Sequence, residues 1–289
     1  MIKVPPGYTI INDKTSTVAV KKEYESPLMR LGISQPERLL KEHISAPGTS
    51  KGRGPVLSVP IEEMPETRIM IRQYLRGGLV RFVNNDTFLG NQRPFNELYI
   101  GAEAYARDIP TAETLAAVSI KKAGPFYSGY LITKELTSCS DLPQYLKELS
   151  KCSNIDFSEK KEQVLVKTAE TVRIMHDKGF LHADLNMKNI LINSLTPENI
   201  FIIDWDKSVL KKNLAESERS SNIIRFCRSM EKLKQHGIPV TENDQELFLN
   251  KYWRNPEKAS VDLEKLKQTV KRRRLIWKIL EKINFHFQL

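Results

Sequence analysis

Cysteine is scarce in this 289-residue chain. Cys139, Cys152 and Cys227 are the only three, and none forms a Cys-x-x-Cys pair. So sparse and odd a set excludes a disulfide framework and a zinc ribbon, and fits a reducing compartment. Long apolar runs are missing as well: no window approaches the roughly 18 uninterrupted apolar residues of a membrane span. Met1 to Thr9 is polar and proline-containing with no apolar stretch behind it, so no secretory signal is expected. Internal repeats and low-complexity tracts are absent too. Acidic residues are the minority charge, 35 Asp and Glu against 45 Lys and Arg, which leaves a net charge of +10. That excess favours anionic partners: acidic lipid headgroups, phosphorylated substrates or nucleic acid. No RNA-binding signature accompanies the charge, so nucleic acid is not expected.

What is present reads as strands first and helices later. Tyr8 to Ile11 and Thr17 to Val20 flank the turn-forming Asn12-Asp13-Lys14, which predicts a hairpin. A short helical pattern covers Pro36 to His43, followed by the Gly- and Pro-containing stretch Ala46 to Gly54. Val56 to Val59 and Arg68 to Tyr74 are expected as strands joined by a loop from Pro60 to Pro65. The period then changes. Phe95, Leu98, Tyr99, Ala102, Tyr105 and Ala106 recur at helical spacing, with Pro94 in the first turn. Strand character resumes at Leu115 to Ile120 and Tyr127 to Lys134 around Ala123-Gly124-Pro125. Beyond Glu135 the chain turns helical, with Asp141 capping Leu142 to Leu149 and a second helix from Ser158 to Lys178 closed by Gly179. The expected architecture is α+β, a small mixed lobe over residues 1–136 and a larger, mainly helical one over 137–289.

One stretch carries chemistry: Phe180-Leu-His182-Ala-Asp184-Leu-Asn-Met-Lys188-Asn189-Ile-Leu-Ile-Asn193, followed by Ile200-Phe-Ile-Ile-Asp204-Trp-Asp206. The two apolar runs predict an antiparallel hairpin turning near Thr196-Pro197. Such a hairpin sets Asn189 beside Asp204, with Asp184 in the loop leading in. Magnesium takes oxygen ligands, one or two from protein and the rest from phosphates and water. Asn189 and Asp204 can hold it, and Asp184 can orient and deprotonate a hydroxyl, which is most of what phosphoryl transfer requires. His182 is expected to be buried and to brace the loop.

These residues resemble the protein-kinase-like superfamily: His182-Ala-Asp184 to Asn189 matches its catalytic loop, and Ile203-Asp204-Trp-Asp206 stands where kinases carry the Asp-Phe-Gly motif. The resemblance implies ATP with Mg²⁺ in a two-lobed kinase fold that has an antiparallel sheet in its first lobe. It also implies that Arg72 takes the place of the phosphate-gripping lysine. Glu97 is the expected partner of Arg72 and Glu103 the competing one. Gly52 and Gly54 fall where a phosphate-covering loop would lie, and Glu135-Leu136 fits the hinge whose backbone bonds adenine. Trp205-Asp206 in place of Phe-Gly, and Asn186 where many protein kinases have lysine, are departures that point to small-molecule kinases. Lys188 is the residue near enough to replace that lysine.

A narrower resemblance rests on Arg72-Gln-Tyr74-Leu-Arg76-Gly77-Gly78, Arg93-Pro-Phe95-Asn-Glu97, Asp108-Ile-Pro110, the catalytic loop and Ile203-Asp204-Trp-Asp206-Lys207. Together they look like the lipopolysaccharide kinases, with 3-deoxy-D-manno-octulosonic acid (Kdo) kinases the closest in pattern. That implies ATP-dependent phosphorylation of the Kdo 4-hydroxyl on Kdo-lipid A. The implied setting is peripheral, on the cytoplasmic face of the inner membrane of a Gram-negative bacterium. An anionic membrane surface is the implied partner, and the basic, aromatic segment Val261 to Leu289 is either a headgroup-binding helix or a helix packed on the larger lobe. A heptose kinase of the same envelope, an atypical protein kinase and a pseudokinase-like scaffold are the rival functions.

Overall fold

The computed structural model describes residues 2–42, 50–51, 55–75, 86–152 and 154–286. They form two compact units, Met1–Thr137 with Ile202–Val209, and Ser138–Phe201 with Leu210–Leu289. Gly52, Gly54 and Arg76-Gly77-Gly78 lie outside the described residues.

The first unit is built on an antiparallel sheet. Its elements are β1 (Tyr8–Asn12), β2 (Ser16–Lys21), α1 (Glu25–Leu31), α2 (Pro36–Glu42), β3 (Ser50–Lys51), β4 (Pro55–Ile61), β5 (Met64–Gln73), β6 (Phe88–Leu89), α3 (Gln92–Ala106), β7 (Thr114–Lys121) and β8 (Phe126–Lys134). Strand order is β1-β2-β7-β8-β5-β4-β3, with β6 added to β8. Successive residues of a strand point to opposite faces, and the core divides accordingly. Val18, Val20, Ile69, Ile71 and Val118 join Leu28, Leu39 and Leu40 of α1 and α2 in one cluster. Ala19, Ala117, Leu131 and Tyr74 join Phe95 and Leu98 of α3 in the other. The expected hairpin of β1 and β2 is present, paired from Tyr8↔Lys21 to Asn12↔Thr17.

Several elements differ from the sequence expectation. The Pro60–Pro65 segment is mostly strand: β4 and β5 pair as far as Ile61↔Met64, with a register shift between Pro60 and Ile61. Among the described residues β3 pairs with β4 only at Pro55 and Val56, which leaves residue 60 without a strand on that side, a position where proline is tolerated. Helix α1 was not anticipated, since seven residues with a single buried Leu28 show no usable period. The buried face of α3 runs through Pro94, Phe95, Glu97, Leu98, Gly101 and Ala104, whereas Tyr105 is exposed. Gly101 is required where α3 crosses β7, because a Cβ there would lie 2.6 Å from Thr114 Oγ1.

The second unit contains β9 (Cys139–Asp141), α4 (Leu142–Leu149), α5 (Asn154–Asp177), β10 (Phe180–Leu181), β11 (Ile190–Asn193), β12 (Ile200–Ile202), β13 (Val209–Leu210), α6 (Glu216–Lys234), α7 (Glu242–Trp253) and α8 (Pro256–His286). Asp141 caps α4 as expected, its carboxylate accepting from the Gln144 N–H at 2.8 Å. Helix α5 begins before the predicted Ser158, and Gly179 ends it in the left-handed region at φ +86°. The hairpin predicted over the catalytic stretch is present as β11 and β12, with Asn193 N–H bonded to Asn199 O. Sequence reasoning missed its third strand, β9, paired from Leu191↔Asp141 to Asn193↔Cys139. Apolar residues of α5, α6 and α7 close the core, where Phe226 and Phe248 stack at 4.6 Å between ring centroids.

Candidate active site

Arg72 lies near the end of β5, and its guanidinium joins two carboxylates. Nη2 donates to Glu97 Oε1 at 2.5 Å and Nη1 to Asp204 Oδ1 at 2.9 Å. The Glu97 side chain is only 2% exposed, which excludes a solvated helix carboxylate and settles the choice against Glu103. Glu103 instead pairs with Arg107 one turn along α3. Tyr74, two residues after Arg72 and therefore on the same strand face, donates its hydroxyl to the other Glu97 oxygen. Burial raises the Glu97 pKa, while the Arg72 guanidinium pulls it down and keeps the carboxylate paired. Burial also works against the charge on Arg72, but Glu97, Tyr74 and Asp204 outweigh it and hold the guanidinium protonated. Burial and the neighbouring carboxylate push the Tyr74 phenol well above its ordinary value, so it remains a donor.

The segment carrying Asp204 is fixed on both sides of that residue. Trp205 is buried, and its indole N–H donates to Thr111 Oγ1 at 2.9 Å; the Thr111 hydroxyl in turn donates to Ile202 O at 2.6 Å. Arg93 grips Asp206 with two bonds, Nε to Oδ1 at 3.1 Å and Nη2 to Oδ2 at 2.6 Å, and lies against the rings of Phe88 and Tyr74. Asp204 itself adopts φ +68°, a conformation that Asp tolerates better than most residues. Tyr74 and Arg93 stand in the motifs that carry the narrower resemblance but received no site role from sequence, and Thr111 was not singled out at all; the i, i+2 spacing of Arg72 and Tyr74 was a usable signal.

In the second unit the loop of Asp184 is held by its backbone. Asn186 Nδ2 and Asn189 Nδ2 both donate to Asp184 O at 2.9 Å, and the Asp184 N–H donates to His182 Nδ1 at 3.2 Å. His182 is fully buried and braces the loop, as expected. Asn189 ends a 3-10 turn, Met187–Asn189, rather than starting the strand. Lys188 is exposed within that turn, its N–H donating to Asn186 Oδ1. The Asp184 carboxylate remains 47% exposed, and its bond to Arg225 is long, 3.5 Å.

Behind the loop runs a chain of buried hydrogen bonds that sequence reasoning missed. Asn222 on α6 donates Nδ2 to His182 O at 2.7 Å. Its Oδ1 lies 2.9 Å from His176 Nε2, and His176 Nδ1 lies 2.6 Å from the Tyr252 hydroxyl. Because Asn222 can only accept through Oδ1, His176 must carry its proton on Nε2, and Tyr252 must donate to Nδ1. Burial lowers the His176 pKa to about 4, so the ring is neutral.

Glu135 is tied to β5. Its N–H donates to Arg68 O at 2.8 Å, and its carboxylate accepts from Arg68 Nε at 2.9 Å and from the Ser58 hydroxyl at 2.5 Å.

Comparison with known proteins places this geometry in a family. Residues 38–252 match the model of the Lipopolysaccharide kinase (Kdo/WaaP) family. A 3-deoxy-D-manno-octulosonic acid kinase of Pasteurella multocida is 27% identical over 211 residues, covering 71% of this chain and 83% of the relative. One from Vibrio cholerae is 29% identical over 189 residues, covering 64% and 73%. Among solved structures, WaaP in complex with acyl carrier protein superposes with a TM-score of 0.54 at 14% identity, over 85% of this chain and 96% of that one, a likeness of fold. The fold is that of the protein-kinase-like enzymes, and the activity is phosphotransfer to an alcohol group of a sugar. With well over half of its length matched by the family model, the chain belongs to the lipopolysaccharide kinase (Kdo/WaaP) family.

Proposed function

We propose that the chain transfers the γ-phosphoryl group of ATP to the 4-hydroxyl of Kdo on Kdo-lipid A, with Asp184 as the proton acceptor. The observation that carries this reading is the loop itself: three hydrogen bonds fix the Asp184 backbone while its carboxylate stays half exposed. A base needs that combination, a rigid mount and an accessible oxygen. The names of the bacterial relatives support Kdo as acceptor.

In this reading Asp184 accepts the hydroxyl proton as the sugar oxygen bonds to the γ-phosphorus. The bond to the bridging β–γ oxygen breaks, and ADP leaves. Arg72, set by Glu97, neutralises phosphate oxygens. Glu135-Leu136 contacts the adenine and Lys188 faces the transferred group, while Gly52 and Gly54, the candidates for covering the phosphates, lie outside the described residues.

Asn189 and Asp204 suit Mg²⁺. Asn189 spends its amide nitrogen on Asp184 O, leaving Oδ1 for a cation, and Asp204 gives only Oδ1 to Arg72. Among the described residues no group of three or more His, Cys, Asp or Glu could hold a metal. An ion that brings phosphate and water ligands needs no such cluster. When bound, it neutralises charge on the phosphates. The site of action proposed is the cytoplasmic face of an inner membrane, where the basic surface meets anionic lipid.

Incubation with γ-labelled ATP and Kdo-lipid A, or a heptosylated acceptor, followed by mass analysis of the product, tests this reading. Label on Kdo that disappears in Asp184→Ala, with ATP binding retained, is the expected result. Label on heptose or on protein would move the function to a heptose kinase or an atypical protein kinase. An absence of both nucleotide binding and turnover in the parent would favour a scaffold.

A further inference from the structure

Helix α6 meets the catalytic loop through three polar side chains. Asn222 Nδ2 donates to His182 O at 2.7 Å, and Ser229 Oγ accepts the Met187 N–H at 3.0 Å, so the loop is pinned on either side of Asp184. Arg225 stands between them in sequence and does not hold backbone in this way. Its Nη1 lies 3.5 Å from Asp184 Oδ1, at the outer limit of a hydrogen bond. The two side chains are 52% and 47% exposed. An ion pair so long and so exposed contributes little to stability. A guanidinium has five N–H donors in a fixed fork, and one long bond employs a single one of them.

We propose that Arg225 binds the carboxylate of an acidic sugar acceptor beside the hydroxyl presented to Asp184. The inference rests on Asp184 being the proton acceptor. An acidic acceptor arriving there brings a second negative charge close to the aspartate, and like charges so placed repel. A guanidinium alongside removes that repulsion and recognises a carboxylate through two parallel bonds. In Kdo the carboxylate is carried on C2, two ring carbons from the 4-hydroxyl, so neighbouring side chains can engage both groups at once. The same fork would also fit the transferred phosphoryl group, which is another oxyanion.

Separating these sources requires two acceptors and two kinetic constants. Kdo-lipid A and its Kdo methyl ester are compared as substrates for the parent, Arg225→Ala and Arg225→Lys. Direct binding of a Kdo saccharide and its ester is measured calorimetrically without ATP. Arg225→Ala is expected to raise KM for the acid about tenfold to a hundredfold, the loss of one charge-assisted contact, and to leave KM for ATP unchanged. It should also erase the parent's preference for acid over ester in both binding and turnover, with partial recovery in Arg225→Lys. Equal losses on acid and ester, or an effect confined to KM for ATP or to kcat, would overturn the proposal, the latter in favour of the phosphoryl group. Because binding is read without turnover, an acid preference that depends on Arg225 survives even where phosphorylation fails. In that case the function reading falls and the binding site stands.

Discussion

Arg72 does by bridging what a lysine in its place could do only as a point charge. Its planar fork reaches Glu97 on one side and Asp204 on the other, so a strand, a helix and the Asp204 segment share one side chain. Arg72→Ala is therefore expected to raise KM for ATP, and normal kinetics in that variant would remove the arginine from the site. Glu97→Ala should have the same kinetic effect through a misdirected Arg72. It should also cost about 3 kcal/mol of stability, because a half-buried guanidinium and the buried Tyr74 hydroxyl lose their partner. A urea midpoint close to that of the parent would mean that the pair is not held as described. At this scale the sequence was most legible where the residues are contiguous, as from His182 to Asn189. Arg225 and Asn222 were not legible, since nothing local marks residues some 40 positions downstream as neighbours of the loop.

Helices α5, α6 and α7 are joined behind that loop by the relay of His176, Asn222 and Tyr252. The relay requires a neutral imidazole, and burial holds its pKa near 4 against an ordinary 6.5. Below pH 6.5 the unfolded chain takes up a proton that the native state refuses. Stability is therefore fully present above pH 6.5 and declines as pH falls towards 4, by up to about 3 kcal/mol. Urea unfolding of the parent and of His176→Gln between pH 7.5 and 5 checks this. The parent should lose stability more steeply, and parallel curves would show that the native ring takes up its proton as readily as the unfolded one does. Secondary structure was legible wherever a period had room to repeat, as in the β1–β2 hairpin and α5. Short elements escaped: α1 shows too little pattern, and β9 is three residues whose strand character comes only from pairing with β11.

Charge is the property of the molecule as a whole that composition alone supplied, +10 over 289 residues. Among the described residues no helix is long and apolar enough to cross a membrane, and the attachment proposed above is electrostatic. Association with vesicles containing anionic lipid is expected at about 0.05 M salt and should be lost by about 0.5 M, as screening shortens the reach of the charges. Equal binding to uncharged vesicles, or binding indifferent to salt, would reject an electrostatic attachment. Ile202–Val209 packs with the first unit although it follows the catalytic loop of the second. Neither unit is thus an uninterrupted cassette. A chimaera that exchanged residues 1–137 between relatives would set one parent's Gly101 and Thr111 against the other's Trp205, and one parent's Arg72 against the other's Asp204. Recombination within this family should therefore succeed only where the eight-residue segment travels with the first unit, and the two must change together in evolution as well.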